Sequence, residues 1–444
     1  MTSFAETSLL LTDLYELTML QAYEHGGMRN LATFELFVRK LPTTRRFLVA
    51  AGLAQALEFL ETAHLTDAEL AWLEESGRFD AAMLKMLAAW RFRGDVDAVP
   101  EGTVVFADEP ILRVTAPIAE AQLVETRLLN IVHLQTLVAS KAARYRLAAG
   151  DRRLLDFGLR RAHGGEAGLF AARAAYLAGF DGSSNVLAEQ RFGVPAAGTM
   201  AHSFVEAHDD EIAAFKTFAR ACPSAVVLLI DTYDTVACAR RLPPLVHALA
   251  DEGITVRGVR LDSGDLDALS REVRAVLDAS DCRDVSVFAS GGLDEHAIAD
   301  LVTAGAPIEG FGCGTDLAIS ADHPNLDAAY KLVVYAGEPK RKRSSGKATW
   351  PGAKQVVRDR DADGNLRSDR LALLEDAPDG LLVPMMRKGR RISAPEPLAD
   401  LRARVEREIA GLPRDLRRLD PGHSLEVEID PALERLAAAV DRAH

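Results

Sequence analysis

The stretch GTMAHSFVEAHDD, residues 198–210, sets His202 among small and hydroxyl-bearing residues where an apolar run gives way to helical spacing. An imidazole in such a place can act as a nucleophile or general base near neutral pH. On residue type alone, a lone histidine is more commonly a hydrogen-bonded surface residue. His208 lies six positions further on, so the pair lacks the i, i+4 spacing of a helical zinc site. FGLRRAHGG (157–165) places Phe157, Arg160 and Arg161 directly after an apolar run. An arbitrary arginine pair is a solvated one, but after a strand the planar guanidinium forks suit a carboxylate or phosphate. GVRLDSGD (258–265) puts Arg260 and Asp262 two positions apart, on one face of a strand. They read equally as a structural ion pair or as a cation and an acid that hold an anionic substrate and orient ribose hydroxyls or magnesium.

ASGGLDE (289–295) and FGCGTDL (311–317) share a design of apolar run, glycines with Ser or Thr, then helix. Backbone N–H groups of such turns cradle phosphate at a helix start, although glycine also simply permits a tight turn. VLLIDTYDTVACA is vaguely like the pyrophosphoribosyl-binding signature of flavodoxin-like transferases, yet it has neither the adjacent acid pair nor the Thr-Gly turn. RSSGKAT (343–349) contains a GK pair without the earlier glycine of a P-loop. Cys222, Cys238, Cys282 and Cys313 share no CxxC spacing and predict reduced thiols, not structural zinc.

These groups need elements to hold them. Ser8 to Ala22 has helical apolar spacing with Thr12 or Asp13 as caps. ATFELFVRKL alternates as a strand, Ala54 to Trp90 reads as two or three helices, and residues 93–118 read as short antiparallel strands broken by prolines and Gly102. After a helical stretch from Ala119 to Ala149 the chain settles into a rhythm of apolar run, polar residue and helix. Its runs are RLLDFG, SSNVLAE, AVVLLIDTYD, TVRGVRLDSG, VSVFASGG and IEGFGCGTD. Six such units predict a parallel sheet, closed into an α/β barrel in preference to a doubly wound sheet. Asp156, Asp231, Asp262, Ser290 and Gly312 each close a run, so in a barrel they ring one mouth. Residues 1–120 are expected to form a mixed α/β domain, 121–330 the barrel, and 331–444 a smaller segment of hairpins and helices.

The chain of 444 residues carries 65 acidic against 52 basic residues, a net charge of −13. That balance argues against general binding of nucleic acid or anionic membranes. No run of about eighteen apolar residues and no basic-then-apolar leader occurs, so a cytoplasmic protein is expected.

Taken in order, LLTDLYELTML, FELFVRKLP, FGLRRAHG, GFDGSSNVLA, GTMAHSF, GVRLDSGDL, ASGGLDE and FGCGTDL resemble the nicotinate phosphoribosyltransferase family over residues 10–335. The resemblance implies an irregular parallel α/β barrel with an additional α/β sandwich domain, working as a homodimer with shared active sites. It implies transfer of phosphoribosyl from phosphoribosyl pyrophosphate to nicotinate, coupled to ATP hydrolysis with Mg²⁺. By motif, His202 corresponds to the histidine that ATP phosphorylates. Tyr15 matches the tyrosine that stacks on the pyridine ring from the other subunit, and Thr199 and Arg260 match nicotinate contacts, with Phe157 and Arg160 as pocket neighbours. Ser290, Gly291, Gly292, Gly312, Gly314 and Thr315 fit a phosphate cradle, with Asp262 facing the ribose or Mg²⁺. No metal ligand set among protein side chains is assigned. Nicotinamide phosphoribosyltransferase and a catalytically inactive barrel serving as a binding protein are the competing readings.

Overall fold

The computed structural model describes residues 8–344 and 346–443. They fall into two units, one running from Lys141 to Pro324 and the other made of the chain up to Ser140 together with the chain from Asn325 onward.

In the Lys141–Pro324 unit, the apolar runs become six parallel strands: β1 (Arg153–Asp156), β2 (Gly182–Ser183), β3 (Val226–Leu229), β4 (Val256–Leu261), β5 (Ser286–Ser290) and β6 (Gly310–Cys313). Their order is β2-β1-β6-β5-β4-β3. The first strand therefore pairs with the last, which is ring order and not the order of an open doubly wound sheet. One rung is missing, between β2 and β3. There Ser183 makes a single parallel bridge to Ala196, with the Ala197 N–H donating to the Ser183 carbonyl at 2.8 Å. The segment that leads into His202 thus extends the sheet past β2 by a single bridge, and the opening beside β3 makes the barrel irregular.

Register aligns the carboxyl ends of the strands, with Ser290 opposite Gly312 and Cys313 opposite Asp156. The turns that follow carry two kinds of acid. Asp234, Asp265 and Asp294 cap the next helices through backbone N–H groups of Ala237, Ala268 and Ala297, each cap contributing about 1 kcal/mol. The earlier acids Asp156, Asp231 and Asp262 stay at the mouth.

SSNVLAE departs from its expected strand. Only Gly182–Ser183 is extended, and Val186–Phe192 is helical because the Asn185 side chain accepts from the Leu187 and Ala188 N–H groups. His202 likewise does not end a strand; it opens the short helix His202–Glu206.

The other unit is built on a seven-stranded antiparallel sheet whose middle strand is Pro110–Pro117, followed on one side by Leu31–Val38 and then Ala328–Tyr335. The alternation of Leu31–Val38 predicts one wet face, yet every residue from Ala32 to Val38 is buried. Glu35 is tolerated inside because the Lys354 ammonium lies 2.6 Å away. Phe34 stacks on Tyr330 at 4.9 Å between ring centroids. Helices Leu14–His25, Leu53–Thr62, Asp67–Glu75 and Ala81–Ala88 belong to this unit, and the tail adds the hairpin Lys354–Arg360 with Leu366–Leu373 and the helices Leu398–Ala410 and Pro431–Arg442.

Candidate active site

The carboxyl ends of β1, β4, β5 and β6 surround a cavity of about 170 Å³ lined by Phe157, Arg160, Asp262, Ser290 and both glycine turns. A larger hollow of about 270 Å³ exists in the other unit, but it is lined by Leu53, Leu57, Met385 and arginines already paired with glutamates. Chemistry and not size singles out the barrel mouth.

His202 is half-exposed, and both ring nitrogens face polar groups. Nδ1 lies 3.2 Å from the Thr232 hydroxyl, and Nε2 is 3.9 Å from Asp262 Oδ2. A hydrogen bond at one nitrogen selects the tautomer at the other. His208 lies in the bend past the helix His202–Glu206, its Nδ1 bonded to the Phe204 carbonyl at 2.8 Å.

The question left by GVRLDSGD is answered by distant partners. Arg260 does not bond to Asp262. Its Nη1 donates to the Thr199 hydroxyl at 2.8 Å and its Nη2 to the Met200 carbonyl at 3.2 Å. The guanidinium sits 5.9 Å over the Phe157 ring, and burial lowers its pKa, although arginine remains charged. The Arg260 Nε is buried with no acceptor, an unspent donor at the mouth.

Asp262 instead accepts from the Ser290 hydroxyl. Its backbone N–H donates to Asp231 Oδ2 at 2.7 Å, which also accepts from the Ser263 hydroxyl at 2.8 Å. Asp231 Oδ1 is buried and has no partner. Asp156, 2 % exposed, holds the turn after β1 by accepting from the Gly158 N–H at 2.8 Å and the Ser183 hydroxyl at 2.6 Å. Burial pushes its pKa up.

The glycines divide by cause. Gly291 has φ +90°, and a Cβ there would stand 1.9 Å from the Asp262 carbonyl oxygen, so no other residue fits. Gly292, at φ +61°, faces open space. A Cβ at Gly312 would meet the Phe157 ring at 2.5 Å, so this glycine lines the cavity but is required by packing of the ring. Gly314 and Thr315 line the same cavity, Thr315 opening the turn Thr315–Ala318.

Tyr15 belongs to the other unit. It stands on the first turn of Leu14–His25, 46 % exposed, and burial with the neighbouring Glu125 and Glu16 carboxylates raises its hydroxyl pKa. Sequence reasoning missed Thr232, Ser263 and Asp316 as members of the mouth. The signal available was their position just past an apolar run, which Asp231 and Asp262 shared. Among the described residues no cluster of three or more His, Cys, Asp or Glu could hold a metal ion, and no helix is long and apolar enough to cross a membrane.

Comparison with known proteins agrees over almost the whole chain. Residues 10–133 match the model of the nicotinate phosphoribosyltransferase N-terminal domain, and residues 152–351 match that of the nicotinate phosphoribosyltransferase family. The chain is 50 % identical over 424 residues to a nicotinate phosphoribosyltransferase of Mycobacterium tuberculosis, covering 95 % of this chain and 91 % of that one. It is 42 % identical over 365 residues to the Bacillus subtilis nicotinate phosphoribosyltransferase, covering 80 % and 74 %. The crystal structure of human nicotinic acid phosphoribosyltransferase superimposes with a TM-score of 0.84 at 32 % identity, covering 97 % of this chain and 99 % of that one.

Proposed function

The chain belongs to the nicotinate phosphoribosyltransferase family, and from that premise we propose how its residues divide the work. The reaction joins the anomeric carbon of phosphoribosyl pyrophosphate to the ring nitrogen of nicotinate, releasing pyrophosphate and yielding nicotinate mononucleotide for NAD salvage. We take the Lys141–Pro324 unit for the catalytic barrel and the remainder for the sandwich domain.

Nicotinate brings an aromatic ring and a carboxylate. Phe157 supplies a flat apolar face, and the half-buried Arg260 beside it, with Thr199, supplies the countercharge that a nicotinamide would not need. As the pyrophosphate departs, positive charge develops on the ribosyl ring. Asp262, held in place by Ser290, is positioned for the ribose hydroxyls and that charge. The two glycine turns receive the phosphate end, and Tyr15 of a partner subunit in a homodimer covers the pyridine ring.

His202 is the proposed phosphate acceptor. Its ring nitrogen attacks the terminal phosphorus of ATP, the bond to the bridging oxygen breaks, ADP leaves, and water later returns the imidazole and free phosphate. Thr232 orients the ring for this step. Mg²⁺ characteristically takes one or two carboxylates together with substrate phosphates, and the unpartnered Asp231 Oδ1 with Asp262 fits that donor set. When bound, the ion would neutralise pyrophosphate charge. The free cysteines suit a cytoplasmic protein.

The observation that carries the reading is the linked set His202–Thr232, His202–Asp262 and Arg260–Thr199 at one barrel mouth. Mass-spectrometric mapping after incubation with ATP is expected to find phosphate on His202. His202→Asn should retain the fold and slow transfer at high phosphoribosyl pyrophosphate while losing the ATP stimulation. Phosphate on another residue, or an undiminished ATP effect in the variant, would sink the assignment.

A further inference from the structure

Two cations at the mouth are unspent. Arg160 and Arg161 lie on the single 3-10 turn Leu159–Arg161 that follows β1. Both are exposed, both line the 170 Å³ cavity, and neither makes a hydrogen bond or ion pair among the described residues. Elsewhere in the same unit Arg144, Arg146, Arg220, Arg241 and Arg274 each hold a carboxylate. Both belong to FGLRRAHG, where the family resemblance places Arg160 beside the nicotinate pocket.

The turn that carries them is held at its start. Asp156 pins it through the Gly158 N–H, and a Cβ on Gly158 would meet that of Ala318 at 2.6 Å. Successive residues of a 3-10 turn point roughly 120° apart, so two adjacent arginines that line one cavity approach it along different directions. They can grip different oxygens of one anion. Gly291 and Gly292 line the same cavity, and without side chains they let an anion approach their backbone closely.

Charge balance points the same way. The other ionisable residues lining the cavity are Asp262 and Asp316. Two arginines offset these two carboxylates; without Arg161 the lining is net negative, in a chain whose net charge is already −13, and it would repel a dianion. Arg260 cannot compensate, since Thr199 and Met200 hold its guanidinium in place beside Phe157.

We propose that Arg161 is a binding residue for the phosphomonoester shared by the sugar substrate and the nucleotide product, and that it sets affinity for that end independently of nicotinate recognition. The proposal rests on the transferase reading above. Its test compares wild type, Arg161→Ala and Arg161→Lys in calorimetric titrations with nicotinate mononucleotide and with inorganic phosphate, alongside steady-state kinetics. Arg161→Ala should weaken nicotinate mononucleotide binding and raise KM for phosphoribosyl pyrophosphate roughly tenfold or more, the scale of a lost charged hydrogen bond. KM for nicotinate and the melting midpoint should stay near wild type, and Arg161→Lys should recover part of the loss. Unchanged nucleotide affinity in Arg161→Ala, or an equal rise in KM for nicotinate, overturns the inference while leaving the transferase reading intact. A wild-type protein that neither binds nicotinate mononucleotide nor converts nicotinate overturns both.

Discussion

Arg260 is where residue chemistry and its surroundings diverge most. Its type and spacing allow an ion pair with Asp262, but the side chain is committed to Thr199 and Met200, and its Nε is still without an acceptor. In the proposed reading a carboxylate ligand would complete that set. Truncating Arg260 to Ala removes charged hydrogen bonds worth about 1.5–3 kcal/mol, so KM for nicotinate should rise roughly tenfold to a hundredfold. ATP stimulation, measured at saturating nicotinate, should change much less. Equal losses for the two ligands would mean that Arg260 is a structural residue only.

Elements add constraints that no single residue shows. Helix Leu14–His25 presents Tyr15 outward while its next residue, Glu16, is fully buried against Gln122, whose amide donates to both Glu16 and Glu125 at 2.9 Å. Burial, reinforced by the nearby Glu125 and Asp13, lifts the Glu16 pKa from 4.5 to about 7. The folded state therefore holds a proton that the unfolded chain releases near 4.5, so this group's contribution is fully present below that pH and is lost as pH rises through 7. The shift corresponds to about 3 kcal/mol. Glu16→Gln should abolish this slope, melting close to wild type at pH 4.5 and clearly above it at pH 8. A parallel pH dependence for the two proteins would show that Glu16 is not the titrating group.

For the whole molecule, the consequence to test is shared sites. His202 and Tyr15 lie in different units of the chain, and the homodimer reading supplies Tyr15 from the partner. Mixing His202→Ala with Tyr15→Ala under conditions of subunit exchange should then restore ATP-stimulated activity, because each heterodimer carries one site with both residues intact. Random reassortment gives about a quarter of the wild-type sites. Sedimentation should report twice the chain mass, and a mixture no more active than its components rules out the sharing.

The rhythm of apolar runs and helices was legible because it is local: β-branched runs buried on both faces make strands, and Asp or Asn at the right offset caps the following helix, as Asp234, Asp265 and Asp294 do. The same local logic explains its failure at SSNVLAE, where the Asn185 cap outweighed the apolar Val-Leu pair. Residue types at strand ends also marked Arg260, Asp262 and the glycine turns as candidates, and small, hydroxyl-bearing neighbours marked His202. Tertiary structure decided what they touch. Pairing of β1 with β6 set ring order, the bridge at Ala196 carried His202 to the mouth, and only there could Thr232 meet its imidazole or Thr199 meet Arg260. Spacing along a chain fixes which way a side chain faces, but contacts between positions far apart exist only once the strands have curled into one sheet.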